Sequence, residues 1–185
     1  MRLLTFAARS LVAASLIGVS ALGCPPIAAA SPATPDPAGN AADLQKLMGL
    51  LSTGYSAANC NQVGSDGNGD PTAVVQVDCG QNPDTGGPVG GRYGLFADQN
   101  ALNGAFQAAI GTDVLAPCSA GVTSPGTWSY GSSASGPVAG SLSCGTYNGA
   151  PEVAWTNNAN LTLGVVDGAA GSDIATLYRW WKAEG

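Results

Sequence analysis

Histidine is missing from this chain altogether, charged residues make up 10% of it and aromatic residues 6%. Each shortage removes a class of function. Without histidine, Ser-His and Cys-His dyads are excluded, together with the commonest general base and the commonest zinc ligand. Six lysines and arginines face twelve acids, a formal charge of −6 that suits neither nucleic acid nor an anionic membrane surface. No CxxC pair occurs, so no metal site is expected. No apolar run reaches the ~20 residues that a membrane-spanning helix needs.

What is present begins with an address. Arg2 and Arg9, the apolar run from Leu11 to Leu22 and Ala28-Ala29-Ala30 before Ser31 have the order of a secretory signal, so residues 1–30 are read as a signal peptide. Ser20-Ala21-Leu22-Gly23-Cys24 also approaches a bacterial lipobox. In that alternative Cys24 is lipidated and anchors the protein to the envelope; otherwise it leaves with the signal. Residues 31–39, rich in proline and alanine, read as a flexible leader, and residues 40–185 as a single domain. Beyond residue 30 four bases meet all twelve acids, a formal charge of −8.

Four cysteines remain in the exported part: Cys60, Cys79, Cys118 and Cys144. An even number in an exported chain reads as two disulfides, with three connectivities open. Val74 to Gly80 and Val138 to Gly145 echo each other, each bringing a strand to a core-facing cysteine followed by glycine. That echo favours Cys60 with Cys79 and Cys118 with Cys144.

Periodicity supplies the elements. From Asn40, Leu44, Leu47, Met48 and Leu51 share one helical face, with Gly54 at the exit. The polar loop after Cys60 carries Asp66, Asn68 and Asp70 at the spacing that opens a calcium loop, but Pro71 and Val77 stand where glycine and glutamate are required, so a solvated turn is the better reading. Ala73 to Cys79 alternates as a strand, and residues 80–91 form a glycine-rich loop. Arg92 to Ala97 is a second strand. Asp98 then caps a helix with Leu102, Ala105, Phe106, Ala109 and Ile110 on one face. After an irregular stretch comes a strand at Thr127 to Tyr130, then a three-stranded meander from Val138 to Val166 with turns at residues 145–151 and 157–160. Ser172-Asp173 caps a closing helix with Ile174, Leu177, Tyr178 and Trp181 on one face. The expected fold is α+β: an antiparallel sheet of about five to six strands with about three packing helices.

In order along the chain, LLSTGY before Cys60, VVQVDCG at Cys79, YGLFAD leading into the helix of Phe106, Cys118, GSLSCG at Cys144, VAWT at Trp155 and the closing LYRWW form a set. Over Leu47 to Trp181 that set resembles the extracytoplasmic sensor-like domains of actinobacterial, and in particular mycobacterial, serine/threonine protein kinases. The resemblance implies a disulfide-stabilised α+β domain outside the membrane that perceives or binds something. No kinase segment or transmembrane helix precedes the motifs here, so a free-standing exported form is expected.

Candidate sites follow from what remains. A Ser-Lys dyad could draw only on Lys46 or Lys182, both on amphipathic helices near a terminus. Glu152 is the one glutamate in the body of the fold, and beside Pro151 it is expected at an exposed strand edge. Trp155 and Trp181 are expected in the core. Trp180, about 100° from Trp181 around the helix, is expected exposed, and with Arg179, Tyr93 and Trp128 it makes the candidate ligand-binding set. The expected function is non-catalytic binding of a small molecule, an envelope lipid or glycan, or a protein partner, without a cofactor, in a secreted or envelope-bound protein. The alternatives are a carboxylate-based hydrolase of cell-wall polymer and a purely structural or antigenic surface protein. The loops 80–91 and 119–126 are where a site is expected.

Overall fold

The computed structural model describes residues 37–63, 69–131 and 136–185. The signal peptide, Cys24, most of the leader and the first two calcium-loop positions lie outside them. Helix α1 (Pro37–Met48) starts three residues earlier than Asn40, with proline in the first turn, where its fixed φ and missing N–H are no handicap. Strands β1 (Cys60–Gln62), β2 (Ala73–Cys79) and β3 (Gly90–Phe96) follow, and then α2 (Gln99–Ile110). Asp98 caps α2 by accepting from the amides of Asn100 and Ala101, both at 2.9 Å. Strands β4 (Val114–Leu115), β5 (Gly126–Ser129), β6 (Val138–Tyr147), β7 (Ala150–Asn157) and β8 (Thr162–Asp167) lead to α3 (Ile174–Glu184), capped by Asp173.

The eight strands form one antiparallel sheet in the order β1-β2-β3-β8-β7-β6-β4, with β5 pairing a second stretch of β6. The class is the expected α+β with three helices. The additional strands are β1 and β4, three and two residues long, too short for alternation to announce them. Both disulfides join the expected partners: Cys60 with Cys79, directly opposite each other on β1 and β2, and Cys118 with Cys144.

Alternation divides the sheet into two faces. One carries Val75, Val77, Tyr93, Leu142, Val153, Trp155 and Val166 beneath Leu47 of α1 and Leu177, Trp180 and Trp181 of α3. The other carries Phe96, Ala154, Leu163 and Val165 beneath Leu102, Ala105, Phe106 and Ile110 of α2. The three helices therefore sit in two layers, with α2 alone on its side.

The first hairpin of the meander is tighter than expected. Tyr147 pairs with Ala150, so only Asn148 and Gly149 turn, with φ of 49° and 82°. An Asn-Gly pair with positive φ at both positions has the twist of a type I′ hairpin turn. The ladder therefore runs to the turn, and Glu152 lies within it, opposite Gly145 of β6 and Asp167 of β8.

Candidate functional site: a groove beside the unaccompanied helix

The four residues expected to bind a ligand do not converge. Trp180, expected exposed, is 7% exposed. The segment after α1 covers its outer flank: Tyr55 packs edge-on against it at 6.3 Å between ring centroids, and the Thr53 amide donates to the Glu184 carbonyl. Tyr93 is buried, its hydroxyl donating to Ser52 Oγ and its ring meeting Tyr55 and Trp155. Trp128 is half-buried against Trp181, with its indole N–H donating to the Thr156 carbonyl at 2.8 Å. Arg179 is exposed and bonds within its own helix to Thr176. Trp180 and Arg179 together line a small cavity of about 270 Å³ beside Asp84 and Glu184, which neither Tyr93 nor Trp128 lines. Trp155 and Trp181 are core residues as expected. The tryptophans thus belong to one network of edge-on and tilted aromatic contacts in the core under α1 and α3, Trp180 joining it through Tyr55 and Tyr93.

The larger cavity, about 680 Å³, opens on the other face. Its volume is in the range of small-molecule sites. It exists because α2 packs over β7, β8 and part of β3 and leaves the outer floor of β2 and β3 uncovered. Small residues keep it open. Ala101, Gly104, Ala105 and Ala108 line one wall, and a side chain built at Gly104 would meet nothing within 4 Å. Gly94 forms floor where a Cβ would press on the Phe96 ring at 3.0 Å. Leu163 and Val165 complete the apolar bed.

The rim opposite α2 is held by polar bonds. The Asp70 amide donates to Gln76 Oε1, and Thr72 donates through both its amide and its hydroxyl to Asp70 Oδ1. Asp70, the last of the three calcium-loop positions, is thereby used within its own turn.

Glu152 closes one end of the groove. The expectation of an exposed edge position is overturned: it is 2% exposed, because the Asn148-Gly149 turn sets it inside the ladder instead of at its start. Three charged groups surround it. Arg92 on β3 approaches Glu152 Oε2 to 3.6 Å with half its side chain in solvent. Asp167 is its cross-strand partner, and Asp113 comes over from the segment after α2. Gly145 makes room for that approach, since a Cβ there would lie 3.3 Å from Asp113 Cβ and 2.9 Å from the Val114 carbonyl.

Burial first, then the charges of Asp113 and Asp167, push the Glu152 carboxyl up to about 9, and burial likewise raises Asp113. At neutral pH this end of the groove therefore retains a proton. Glu152 Oε1 and Asp113 Oδ1 are closed off from solvent, and no protein donor reaches either. Carboxyls this close bond to one another only by sharing a proton.

Neither feature was found from the sequence, though both left a trace. Glu152 is the one charge in APEVAWT, and α2 has alanine and glycine where an ordinary exposed flank has lysine and glutamate. Among the described residues no group of three His, Cys, Asp or Glu side chains is placed to hold a metal ion, and no helix is long and apolar enough to cross a membrane. Comparison with protein families, with curated proteins and with solved structures returned no match for the chain.

Proposed function

We propose that this protein is an extracytoplasmic, non-catalytic binding module, and that its ligand site is the groove between α2 and the β2–β3 floor. The observation that carries this reading is the groove itself: about 680 Å³, bedded by small and apolar residues, with one buried carboxyl at its closed end. An apolar pocket with a few convergent polar groups is the usual form of a small-molecule site. Two disulfides suit an oxidising compartment outside the cytoplasm. The motif resemblance to kinase sensor-like domains supports perception or binding over chemistry, and an envelope lipid fits the apolar bed better than a glycan or a protein partner.

The hydrolase alternative draws on the same end of the groove, because a buried glutamic acid with a raised pKa is the form a general acid takes. It is the weaker reading. Glycosidic cleavage needs two carboxyls roughly 5 to 9.5 Å apart flanking the bond, whereas Glu152 lies within hydrogen-bonding reach of Asp113 and Asp167.

The test is calorimetric titration with decyl-chain amphiphiles below their micelle concentrations, into the wild type and into Gly104→Phe. Saturable binding of at least one amphiphile, lost when the phenyl ring fills the groove, is expected. Equal binding by both proteins, or none by the wild type, contradicts the proposal.

A further inference from the structure

Resting on the groove as the ligand site, we propose that its occupant is a single-chain amphiphile with a carboxylate head, the carboxylate seated on the Arg92 guanidinium and the apolar chain running over Gly94 toward Phe96 beside α2. The charges that line the groove select the head. They are Asp70, Arg92 and Glu152. Asp70 Oδ1 is taken up by the Thr72 amide and hydroxyl within its own turn, and Glu152 is buried. Arg92 is the one base among the three, and half of its side chain is in solvent.

Arg92 has donors to spare. Among the described residues its one ion-pair contact is the 3.6 Å approach to Glu152 Oε2, too long for a hydrogen bond. Glu152 holds a proton at neutral pH, so a neutral carboxyl stands beside the guanidinium where a counter-ion would otherwise be. Asp78, the cross-strand neighbour of Arg92 on β2, is exposed and lines no part of the groove; neither do Asp113 and Asp167. A guanidinium presents its N–H groups as a rigid fork, which two carboxylate oxygens match with two parallel bonds. A hydroxyl head accepts without charge, and an ammonium head brings only donors and a like charge.

The sheet supplies the track for the tail. Arg92, Gly94 and Phe96 alternate onto one face of β3, with Val165 and Leu163 of β8 opposite the first two. From Arg92 to Phe96 this track runs about 13 Å along the strand. On its other side α2 adds Ala101, Gly104 and Ala105 and no charged residue. The molecule as a whole repels such a ligand, since the chain beyond residue 30 has a formal charge of −8. Attraction of an anion to the groove is therefore local to Arg92.

The experiment compares decanoate, 1-decanol and decylammonium by calorimetry at about pH 7, where decanoate and Arg92 are both charged. The proteins are the wild type, Arg92→Gln, Arg92→Lys and Gly104→Phe. In Arg92→Gln decanoate should bind at least about fivefold more weakly, decanol should change by less than about twofold, and decylammonium should bind more tightly. Arg92→Lys should recover part of the decanoate affinity, because it keeps the charge and loses the fork. Gly104→Phe should block decanoate and decanol alike. If decanoate and decanol weaken together in Arg92→Gln, Arg92 shapes the groove without holding a head, and this inference falls while the groove stands. Decanoate binding that is unchanged in Arg92→Gln but blocked in Gly104→Phe overturns it in the same way. If none of the three binds the wild type, the groove reading fails and this inference with it.

Discussion

Glu152 shows how one turn changes the chemistry of a residue. At the start of a strand it would be a solvated carboxylate; two residues inside the ladder it is 2% exposed between two other acids. Its folded pKa, about 9, lies above that of an unfolded glutamate, so the folded state holds more protons than the unfolded state between about pH 4.5 and 9. The stability this group contributes is present below that window and is lost as pH rises through it. We expect the wild type to unfold at lower denaturant concentration at pH 8 than at pH 5, and Glu152→Gln to flatten that slope. The substitution should stabilise the protein by on the order of 2 kcal/mol at pH 8, because the amide needs no proton to remain buried. Denaturant melts of both proteins across pH are the check. A wild-type curve that rises from pH 5 to 8 contradicts the electrostatics described here.

Gly104 carries the second residue-scale prediction. Its Cβ position is open and its φ is ordinary for a helix, so Gly104→Ala should stabilise the protein by about 0.5–1 kcal/mol through helix propensity alone. Thermal melts test this. A loss of stability would mean that α2 lies closer to the sheet than described.

At the scale of elements, α2 and the hairpin between β6 and β7 make the site. The Asp98 cap and the apolar face of α2 were legible in the sequence, because both follow from helical spacing. Removing the cap with Asp98→Ala should cost about 1 kcal/mol, measured by denaturant unfolding. The groove beside α2 was not legible, because small residues on a helical flank signal a cavity only once the opposing sheet is known to be bare. Placement of the hairpin's strands depended on Asn148-Gly149. With the turn set at residues 145–151, Glu152 falls at an edge, while the two-residue turn places it opposite Gly145. Gly149, at φ 82°, is the position where a Cβ strains the backbone, so Gly149→Ala should destabilise by about 1 kcal/mol and loosen the carboxyl cluster. Trp180 was misplaced for a related reason. Helical spacing separates it from Trp181, but only the fold shows that Tyr55 covers its second flank.

For the whole molecule, the disulfides staple β1 to β2 and tie Cys118 to β6, closing separations of 19 and 26 residues. Each should contribute about 3 kcal/mol, mainly by restricting the unfolded chain. A Cys60→Ser/Cys79→Ser variant should therefore unfold at clearly lower denaturant concentration, with the groove, which lies across the sheet, still formed. Two separate layers underlie this division: the aromatic core under α1 and α3 carries most of the buried bulk, and α2 covers the opposite face by itself. Stability and binding are thus assigned to different sides of one sheet, and a ligand on the α2 side need not disturb the tryptophans.

The measurement that tests this assignment most directly is the amide proton–nitrogen NMR spectrum followed through a titration with a decyl-chain amphiphile below its micelle concentration. The account predicts saturable shifts with one dissociation constant at Gly94, Ala101, Gly104, Ala105 and Glu152, on both walls and the closed end of the groove. Saturable shifts confined to Tyr55, Trp180 and Arg179 on the opposite face, or no saturable shift anywhere, would contradict it.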